Sequence, residues 1–167
     1  MTKICVFSDT HGYAEHMLRT IRREKPDYVL FLGDGASDVE TVRRALPLQA
    51  VQYVRGNCDL FDRAPAVRTV KIAGKTIFCT HGHLQRVKLE APGFRTLWYA
   101  AREAGADVAL FGHTHTPFLE QTPEVLLVNP GTAGRVSRPG YARLCIDGDA
   151  VTAELLPVPA ADDCAAP

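Results

Sequence analysis

The feature that most constrains this chain is the position of its polar motifs. They follow short apolar runs that are typical of strands, and most of them contain glycine. Five such motifs occur, and most contain histidine; together they hold five of the six histidines. In chain order they are Asp9-Thr10-His11, Gly33-Asp34, Gly56-Asn57-Cys58-Asp59, Thr80-His81-Gly82-His83 and Gly112-His113-Thr114-His115. The carboxyl ends of parallel strands meet at one edge of a sheet, where α/β proteins place their ligands. We therefore expect the five loops to form one site.

The segments between these motifs predict an α/β fold. Helices are expected over residues 14–25, 38–46 and 94–104, and strands over residues 3–8, 28–32, 50–54, 67–72, 76–80, 108–111, 118–121, 125–129, 141–146 and 151–156. The second helix is expected to begin with a capping box formed by Ser37 and Glu40. Because helices are concentrated early and strands late, we expect two sheets packed face to face with helices on the outside.

Length and charge limit the functions open to the chain. At 167 residues with 46% hydrophobic content, we expect one domain over residues 1–156, followed by a flexible tail over 157–167. The formal net charge is zero, so no basic field favours long nucleic acid or an anionic membrane. The first apolar run is too short for a signal peptide or a transmembrane helix, and we expect a cytoplasmic protein.

The five motifs together indicate a metal site. A single Asp-x-His or Gly-Asp motif is more often a turn or a helix cap than a pair of ligands. Five histidines, several carboxylates and an asparagine after successive strands are harder to explain in that way. Imidazole, carboxylate and amide oxygen suit Mn, Fe, Zn, Ni or Co, and the set exceeds what one tetrahedral zinc ion uses. The pattern therefore predicts two divalent transition-metal ions.

The His-x-His spacing of the last motif is consistent with two ions. Near a strand end, alternate side chains leave on the same face, so His113 and His115 can each reach one of two adjacent ions. Two such ions, about 3.5–4 Å apart, repel each other and need a bridging carboxylate, for which Asp34 is the best candidate. Their charge would then meet only Asp9 and Asp34, which leaves a positive pocket suited to phosphate.

The ordered motifs resemble those of the calcineurin-like metallophosphoesterases, and at this length those of their small bacterial and archaeal phosphodiesterase branch. The match spans residues 4 to about 132. It implies a four-layer αββα sandwich of two mixed sheets, and a metal-dependent phosphoric ester hydrolase. It also implies that Asp9, His11, Asp34 and His115 hold one ion, while Asp34, Asn57, His81 and His113 hold the other. Manganese is the first choice of metal, with nickel, zinc, iron and cobalt as alternatives.

One position departs from the wider superfamily. Many members have Gly-Asn-His-Asp or Gly-Asn-His-Glu, whose histidine is thought to protonate the leaving group, whereas this chain has Cys58. Cysteine is the usual residue in the small branch, so a general-acid histidine is not expected at this position. The thiol is expected to pack, with weak proton donation as the alternative. Asp59 is expected to orient the Asn57 loop.

Several further side chains are candidates for contact with the substrate. His83, which with Asp34 and Asn57 forms the predicted catalytic set, could donate a proton, contact phosphate or only support the ligands. Arg135 and Arg138 follow a turn, residues 129–132, that resembles the family's Asn-Pro-Gly-Ser turn. Guanidinium groups suit bidentate phosphate binding, with a solvated surface role as the alternative. His16 lies in a predicted helix away from the motifs, where a surface position is expected.

The predicted reaction is hydrolysis of a small phosphodiester by a hydroxide that bridges the two ions, because the ions lower the pKa of water from about 15.7 toward 7. The resemblance alone favours diesters over monoesters. The alternative is a non-catalytic, metal-binding protein-interaction scaffold, since a eukaryotic retromer scaffold subunit has a similar fold. A nuclease acting on long nucleic acid is disfavoured by the neutral charge. The expected partner is a small phosphoester. The sequence is compatible with a homo-oligomer as well as with a monomer.

Overall fold

The computed structural model describes residues 1–161, over which it has ten strands and four helices. The strands are β1 (Thr2–Phe7), β2 (Tyr28–Phe31), β3 (Ala50–Tyr53), β4 (Val67–Ile72), β5 (Lys75–Thr80), β6 (Val108–Leu110), β7 (Phe118–Gln121), β8 (Leu126–Asn129), β9 (Gly140–Asp147) and β10 (Ala150–Pro157). The helices are α1 (Glu15–Glu24), α2 (Ala36–Ala45), α3 (Val87–Glu90) and α4 (Arg95–Glu103). The sequence predicts every strand and helices α1, α2 and α4 to within two residues at each end, but not the short helix α3.

The strands form two mixed five-stranded sheets. Their orders are β10-β9-β1-β2-β3 in sheet A and β4-β5-β6-β8-β7 in sheet B. In sheet A, β1, β2 and β3 are parallel, whereas β9 and β10 are antiparallel additions beside β1. In sheet B, β5, β6 and β8 are parallel and the two edge strands are antiparallel. Each sheet therefore has a parallel centre whose carboxyl ends can carry functional loops.

The two sheets pack face to face around an apolar core. Val6 of sheet A and Ile77 of sheet B both belong to this central core and are fully buried. The next residue of β1, Phe7, points to the opposite face, where it packs in a second cluster with Met17 of α1. Leu97 of α4 belongs to a third cluster on the outer face of sheet B. Burial of each such side chain stabilises the fold by about 1.5–3 kcal/mol. The predicted αββα sandwich is confirmed.

The motif loops of both sheets meet at one edge of the sandwich. Within sheet A, the Asp9 amide donates to the Gly33 carbonyl at 3.0 Å. Between the sheets, the Ala133 amide, just beyond β8, donates to the Ser8 carbonyl at 2.9 Å. A Cβ atom at Gly112 would collide with Ser8 Oγ, so glycine is required for the close approach of the two sheets here.

Helix α2 does not begin with the predicted capping box. The helix starts at Ala36, so Ser37 already lies in the first turn, and its side chain is exposed. The Gly35 and Ala36 amides instead donate to Asp59 Oδ1, each at 2.9 Å. The prediction was wrong because a carboxylate distant in sequence satisfies these amides.

The C-terminal segment is packed further than predicted. Strand β10 extends to Pro157, and the Val158 amide donates to the Pro139 carbonyl at 2.9 Å. Val158 also packs against the apolar cluster beneath α1, and Pro159 is buried. The predicted flexible tail therefore does not begin at residue 157. Its remaining residues, 162–167, lie outside the described part of the chain. Within residues 1–161, no helix has the length and apolar character needed to cross a membrane.

Candidate metal centre

The seven side chains predicted to bind metal come together at the shared edge. The ligand atoms of Asp9, His11 and His115 lie within 4.8 Å of one another, and so do those of Asp34, His81 and His113. Asn57, the seventh, joins the second group, with Oδ1 at 3.1 Å from His81 Nε2. A third set, within the same limit, consists of His11, Asp34 and Cys58. Asp34 thus lies between the two groups, as expected of a bridging carboxylate.

Backbone conformation aims these side chains into the site. Among residues 1–161, nine residues other than glycine have a positive φ, and five of the nine are predicted ligands. They are Asp9 (57°), His11 (49°), Asp34 (58°), His113 (66°) and His115 (59°). This conformation costs about 1–3 kcal/mol for each such residue, and it is concentrated at functional sites. The strain therefore coincides with the predicted centre.

The Asp9 carboxylate is fully buried but only half satisfied. Its Oδ2 accepts hydrogen bonds from Ser8 Oγ at 2.5 Å and from the His113 amide at 3.1 Å. Its Oδ1 accepts none from the described residues, although His115 Nε2 lies 3.0 Å away and His11 Nε2 lies 3.7 Å away. A buried, unpaired charged oxygen is costly. Because an ion bound by Oδ1 and the two imidazoles would remove this cost, the residues fit a divalent metal.

His81 is held in the tautomer that metal binding requires. Its Nδ1 donates to the Leu32 carbonyl at 2.8 Å, which leaves the Nε2 lone pair available. Around Nε2 lie Asn57 Oδ1 and His113 Nδ1, each at 3.1 Å, and Asp34 Oδ2 at 3.3 Å. These four atoms can all act as acceptors. A cation among them would convert mutual repulsion into coordination, so this second group also fits a metal ion.

The Asp59 carboxylate fixes the loops of the second and third motifs. Its Oδ2 accepts hydrogen bonds from the amides of Asp34 and Gly56, each at 2.8 Å. Its Oδ1 accepts those of Gly35 and Ala36 at the start of α2. Four backbone donors from two loops are thereby satisfied by one side chain. This agrees with the expectation that Asp59 orients its loop.

Charges within the site shift several pKa values. Burial opposes ionisation of Asp34, but hydrogen bonds from His81 and from the Cys58 amide outweigh it and lower the pKa of Asp34 well below its usual value. Burial likewise disfavours the charged form of His81, but Asp34 and Asp9 outweigh it and raise the pKa of His81. Burial and the charge of His81 lower the pKa of His113 to about 4. His113 is therefore neutral at neutral pH, while His81 holds its proton more tightly than an ordinary histidine.

Cys58 and His83 lie beside the ligands. The Cys58 side chain is exposed rather than packed, and its Sγ accepts a hydrogen bond from Asn57 Nδ2 at 3.4 Å. Partial desolvation beside the site, a hydrogen bond to Asp34 and the charge of Asp34 raise the pKa of Cys58, so the thiol is protonated at neutral pH. His83 is half-buried, and its ring centroid lies 5.6 Å from that of His81. Burial and the charge of His81 lower the pKa of His83, which keeps this imidazole neutral.

The two arginines predicted to bind substrate are exposed and follow a turn that is tied to the first motif. Thr132 Oγ1 donates to the Asp9 carbonyl at 2.7 Å. Beyond this turn, Arg135 Cζ lies 5.8 Å from the centroid of the Tyr13 ring. Arg138 is also on the surface. Arg135 thus lies beside the loop of the first motif, and the exposure of both arginines is in keeping with either of the two predicted roles.

His16 differs from its prediction. It lies in α1 as expected, but its side chain is only 9% exposed. Its Nδ1 donates to the Ala133 carbonyl at 3.0 Å, and its ring packs edge-on against Tyr13 with centroids 4.6 Å apart. The surface prediction was wrong because the segment after β8 covers the first turn of α1.

Two cations near the site are missing from the sequence predictions. After burial and His81, the charge of Lys88 is a further cause that lowers the pKa of His113. Arg55 acts on His83 in the same direction, and it directly precedes the third motif. Adjacency to that motif was the available signal for Arg55. Lys88 lies on the short helix α3, which the sequence did not predict. Both cations add to the positive potential around the second ligand group.

The αββα sandwich with imidazole, carboxylate and amide ligands at one edge is the arrangement that defines metallophosphoesterases. The family model of the calcineurin-like phosphoesterase superfamily domain matches residues 2–149, and the chain belongs to this superfamily. Over 152 residues it is 34% identical to the probable metallophosphoesterase YsnB of Bacillus subtilis, covering 89% of this chain and 87% of YsnB. It is 28% identical over 158 residues to the phosphodiesterase YfcE of Escherichia coli, covering 79% of each.

Solved structures give the same result for the fold. A predicted phosphoesterase from Streptococcus pneumoniae superposes with a TM-score of 0.78 at 27% identity, covering 93% of this chain and 89% of that chain. Vps29 from Entamoeba histolytica, in a complex with Zn²⁺, has a TM-score of 0.70 at 19% identity, covering 94% and 99%. The second likeness concerns the fold alone.

Proposed function

We propose that this protein is a metal-dependent phosphodiesterase that hydrolyses small phosphodiesters at a centre for two divalent ions, with residues 1–156 acting as a single domain. The observation that carries the proposal is Asp9 Oδ1, a buried carboxylate oxygen that faces two imidazole nitrogens and accepts no hydrogen bond from the described residues. The second group, around His81 Nε2, supports the second ion. The likeness to YfcE, named a phosphodiesterase, supports the preference for diesters.

Each ion would have four protein ligands. Asp9, His11, Asp34 and His115 would hold the first, and Asp34, Asn57, His81 and His113 would hold the second. This mixture of nitrogen and oxygen donors suits manganese, and it would also accept nickel, zinc, iron or cobalt. When bound, the ions supply Lewis acidity: they neutralise phosphate charge and lower the pKa of the water that attacks phosphorus.

The side chains of the protein prepare the site for this chemistry. Asp34, with its lowered pKa, stays anionic and can separate two cations. Asn57 contributes a neutral oxygen, so the centre keeps a net positive charge that favours an anionic ester. His83 is neutral at pH 7 and can donate an N–H group to an ester oxygen. Arg135 and Arg138 would bind the remaining phosphate oxygens from the rim.

The alternative is a non-catalytic, metal-binding protein-interaction scaffold of the same fold. The likeness to Vps29 is compatible with it at the level of the fold. Two observations favour the enzyme. Every ligand position of the family pattern is filled, and five of these residues have strained backbone conformations. Such strain is typical of a reaction centre, which needs fixed geometry.

Hydrolysis assays test the proposal. Metal-stripped protein is given Mn²⁺, Ni²⁺, Zn²⁺ or Mg²⁺ and is assayed with bis-p-nitrophenyl phosphate beside p-nitrophenyl phosphate. We expect metal-restored turnover with faster cleavage of the diester. Binding of two ions without turnover of either ester would favour the scaffold, and faster cleavage of the monoester would contradict the diester preference. The predicted cytoplasmic location is a separate prediction, which cell fractionation checks.

A further inference from the structure

A groove beside the proposed metal centre has a mixed lining that includes two apolar side chains with high exposure. It lies between the start of α2 and the loop that follows the third motif, and its volume is about 340 Å³. On this loop Phe61 is 98% exposed and Leu60 is 75% exposed. Cys58 lines the groove and also belongs to the ligand set with His11 and Asp34. A substrate held at the centre can therefore extend into the groove.

The loop that carries Phe61 is fixed by hydrogen bonds of the residues before and after Phe61. The Asp62 amide donates to the Asp59 carbonyl at 3.1 Å, and Tyr53 donates its hydroxyl to Asp62 Oδ2 at 3.2 Å. The Ala64 amide donates to Asp62 Oδ1 at 2.7 Å. These bonds hold the backbone while the Phe61 ring faces solvent. A ring exposed in this way is available to stack on a planar group of a ligand.

The charges of the groove restrict what can occupy it. Its ionisable lining residues include three carboxylates and no Lys or Arg. Glu40 is paired with Arg43 at 2.8 Å, and both oxygens of Asp59 accept backbone amides. Asp62 accepts hydrogen bonds from the Tyr53 hydroxyl and the Ala64 amide and has no paired cation among the lining residues. A second phosphate or a carboxylate would be repelled here, and the exposed apolar side chains of Leu60 and Phe61 favour an occupant that is at least partly apolar.

We propose that this groove binds an uncharged aromatic ester group of the phosphodiester, with Phe61 stacked on the aromatic ring and Leu60 completing the apolar contact. This inference rests on the proposed function and adds the class of substrate: a phosphodiester with an aromatic group on one side. Aromatic side chains bind planar rings by stacking with little dependence on ring identity. The groove therefore selects for the ring itself and not for a particular pattern of hydrogen bonds.

Calorimetric titration of the manganese-loaded protein with phenylphosphonate and methylphosphonate tests the inference, because the two anions differ by the ring. We expect wild-type protein to bind phenylphosphonate about tenfold more tightly, which corresponds to about 1.4 kcal/mol. Phe61→Ala should reduce this preference to about twofold or less and leave the affinity for methylphosphonate unchanged. Leu48→Ala is the matched control, because Leu48 is 100% exposed but lies beyond the far end of α2. That variant should keep the full preference.

Other outcomes overturn the inference. An equal preference for the ring in wild type and Phe61→Ala would exclude this groove, and so would the absence of any preference in wild type. A lower molar mass of Phe61→Ala by light scattering would show instead that a second copy of the chain covers Phe61. Failure of the proposed function is separable, because it would appear as no metal-restored hydrolysis and no binding of either phosphonate.

Discussion

Two sites of negative charge in this protein, one partly buried and one buried, are neutralised in different ways. Glu24 at the end of α1 accepts hydrogen bonds from the Tyr141 hydroxyl at 2.9 Å and from Arg143 Nη1 at 3.2 Å. At the opposite edge, Asp9 and Asp34 have only histidines as ion-pair partners among the described residues. An arginine is always charged, whereas an imidazole is charged only when it binds a proton. The first cluster is complete by itself, and the second requires cations from outside.

This difference separates a structural cluster from a functional one. Burial opposes ionisation of Glu24, but hydrogen bonds from Tyr141 and Arg143 outweigh it and lower the pKa of Glu24. That cluster therefore contributes to folding stability at neutral pH. The edge with Asp9 keeps a buried carboxylate oxygen without a donor, which costs stability until an ion binds. A buried acidic cluster surrounded by histidines alone is thus a signature of a metal site.

Replacement of one carboxylate in each cluster should show the difference between the two clusters most clearly. Asp34→Asn should lower metal-dependent hydrolysis of bis-p-nitrophenyl phosphate by about a thousandfold or more, because the charge that separates the ions is lost. Glu24→Gln should keep the activity within about twofold while losing stability. Circular dichroism checks that both variants are folded. Undiminished turnover by Asp34→Asn would refute the bridging role.

Removal of Asp59 tests whether the functional cluster depends on a structural support. Asp59→Ala leaves the amides of Asp34, Gly35, Ala36 and Gly56 without their acceptor, so we expect unfolding free energy to fall by about 2–4 kcal/mol. Affinity for Mn²⁺ should fall by about 10–100-fold, as is typical when a partner of the ligands is removed. Urea denaturation and calorimetry measure the two effects. Asp59→Asn, which keeps one acceptor oxygen, should lose less of both; equal losses in the two variants would contradict this account.

The pH dependence of folding stability should show the contribution of the Glu24 cluster, whose charge is neutralised by other residues of the chain. The pKa of Glu24 is lower in the folded than in the unfolded state, so its stabilisation is present above the unfolded pKa of about 4.3 and is lost as pH falls through the folded pKa. Glu24→Gln should therefore cost about 1–2 kcal/mol at pH 7 and progressively less toward pH 3. Denaturation of wild type and Glu24→Gln across this pH range measures the contribution of Glu24 to the free energy of unfolding. EDTA is present so that metal binding does not contribute. A difference that does not change with pH would contradict it.

The smallest expected effect concerns the rim of the functional cluster. Arg135→Ala should raise the KM for the diester by about three- to tenfold with little change in kcat, because an exposed guanidinium contributes about 1 kcal/mol to holding an anion. Arg44→Ala, which removes an exposed arginine from α2, is the control and should change neither constant. A fall in kcat alone would place Arg135 in the chemical step instead.

The sequence predicts the residues of the proposed metal centre better than the residues that hold its loops in place. Motif order locates the proposed ligands, since strand ends in a parallel sheet have only one edge to share. Strand alternation does not position His113 and His115, because β6 ends at Leu110 and both histidines have a positive φ. The role of Asp59 as the acceptor for α2 was not predictable, because a capping box at Ser37 is the local solution and only the fold brings a distant carboxylate there. His16 is similar: its helical position is local, but its burial depends on the segment after β8. Contacts between distant segments carry no periodic signal.

Titration of metal-stripped protein with Mn²⁺ by calorimetry at pH 7 tests the central claim most directly. We predict two ions bound per chain in wild type and in Glu24→Gln, and fewer ions with weaker affinity in Asp9→Asn and Asp34→Asn. Release of protons should accompany binding, because metal displaces the proton that Asp34 and Asp9 favour on His81. No binding by wild type, or the same stoichiometry and affinity in all four proteins, would contradict the claim that Asp9 and Asp34 form a centre for divalent cations.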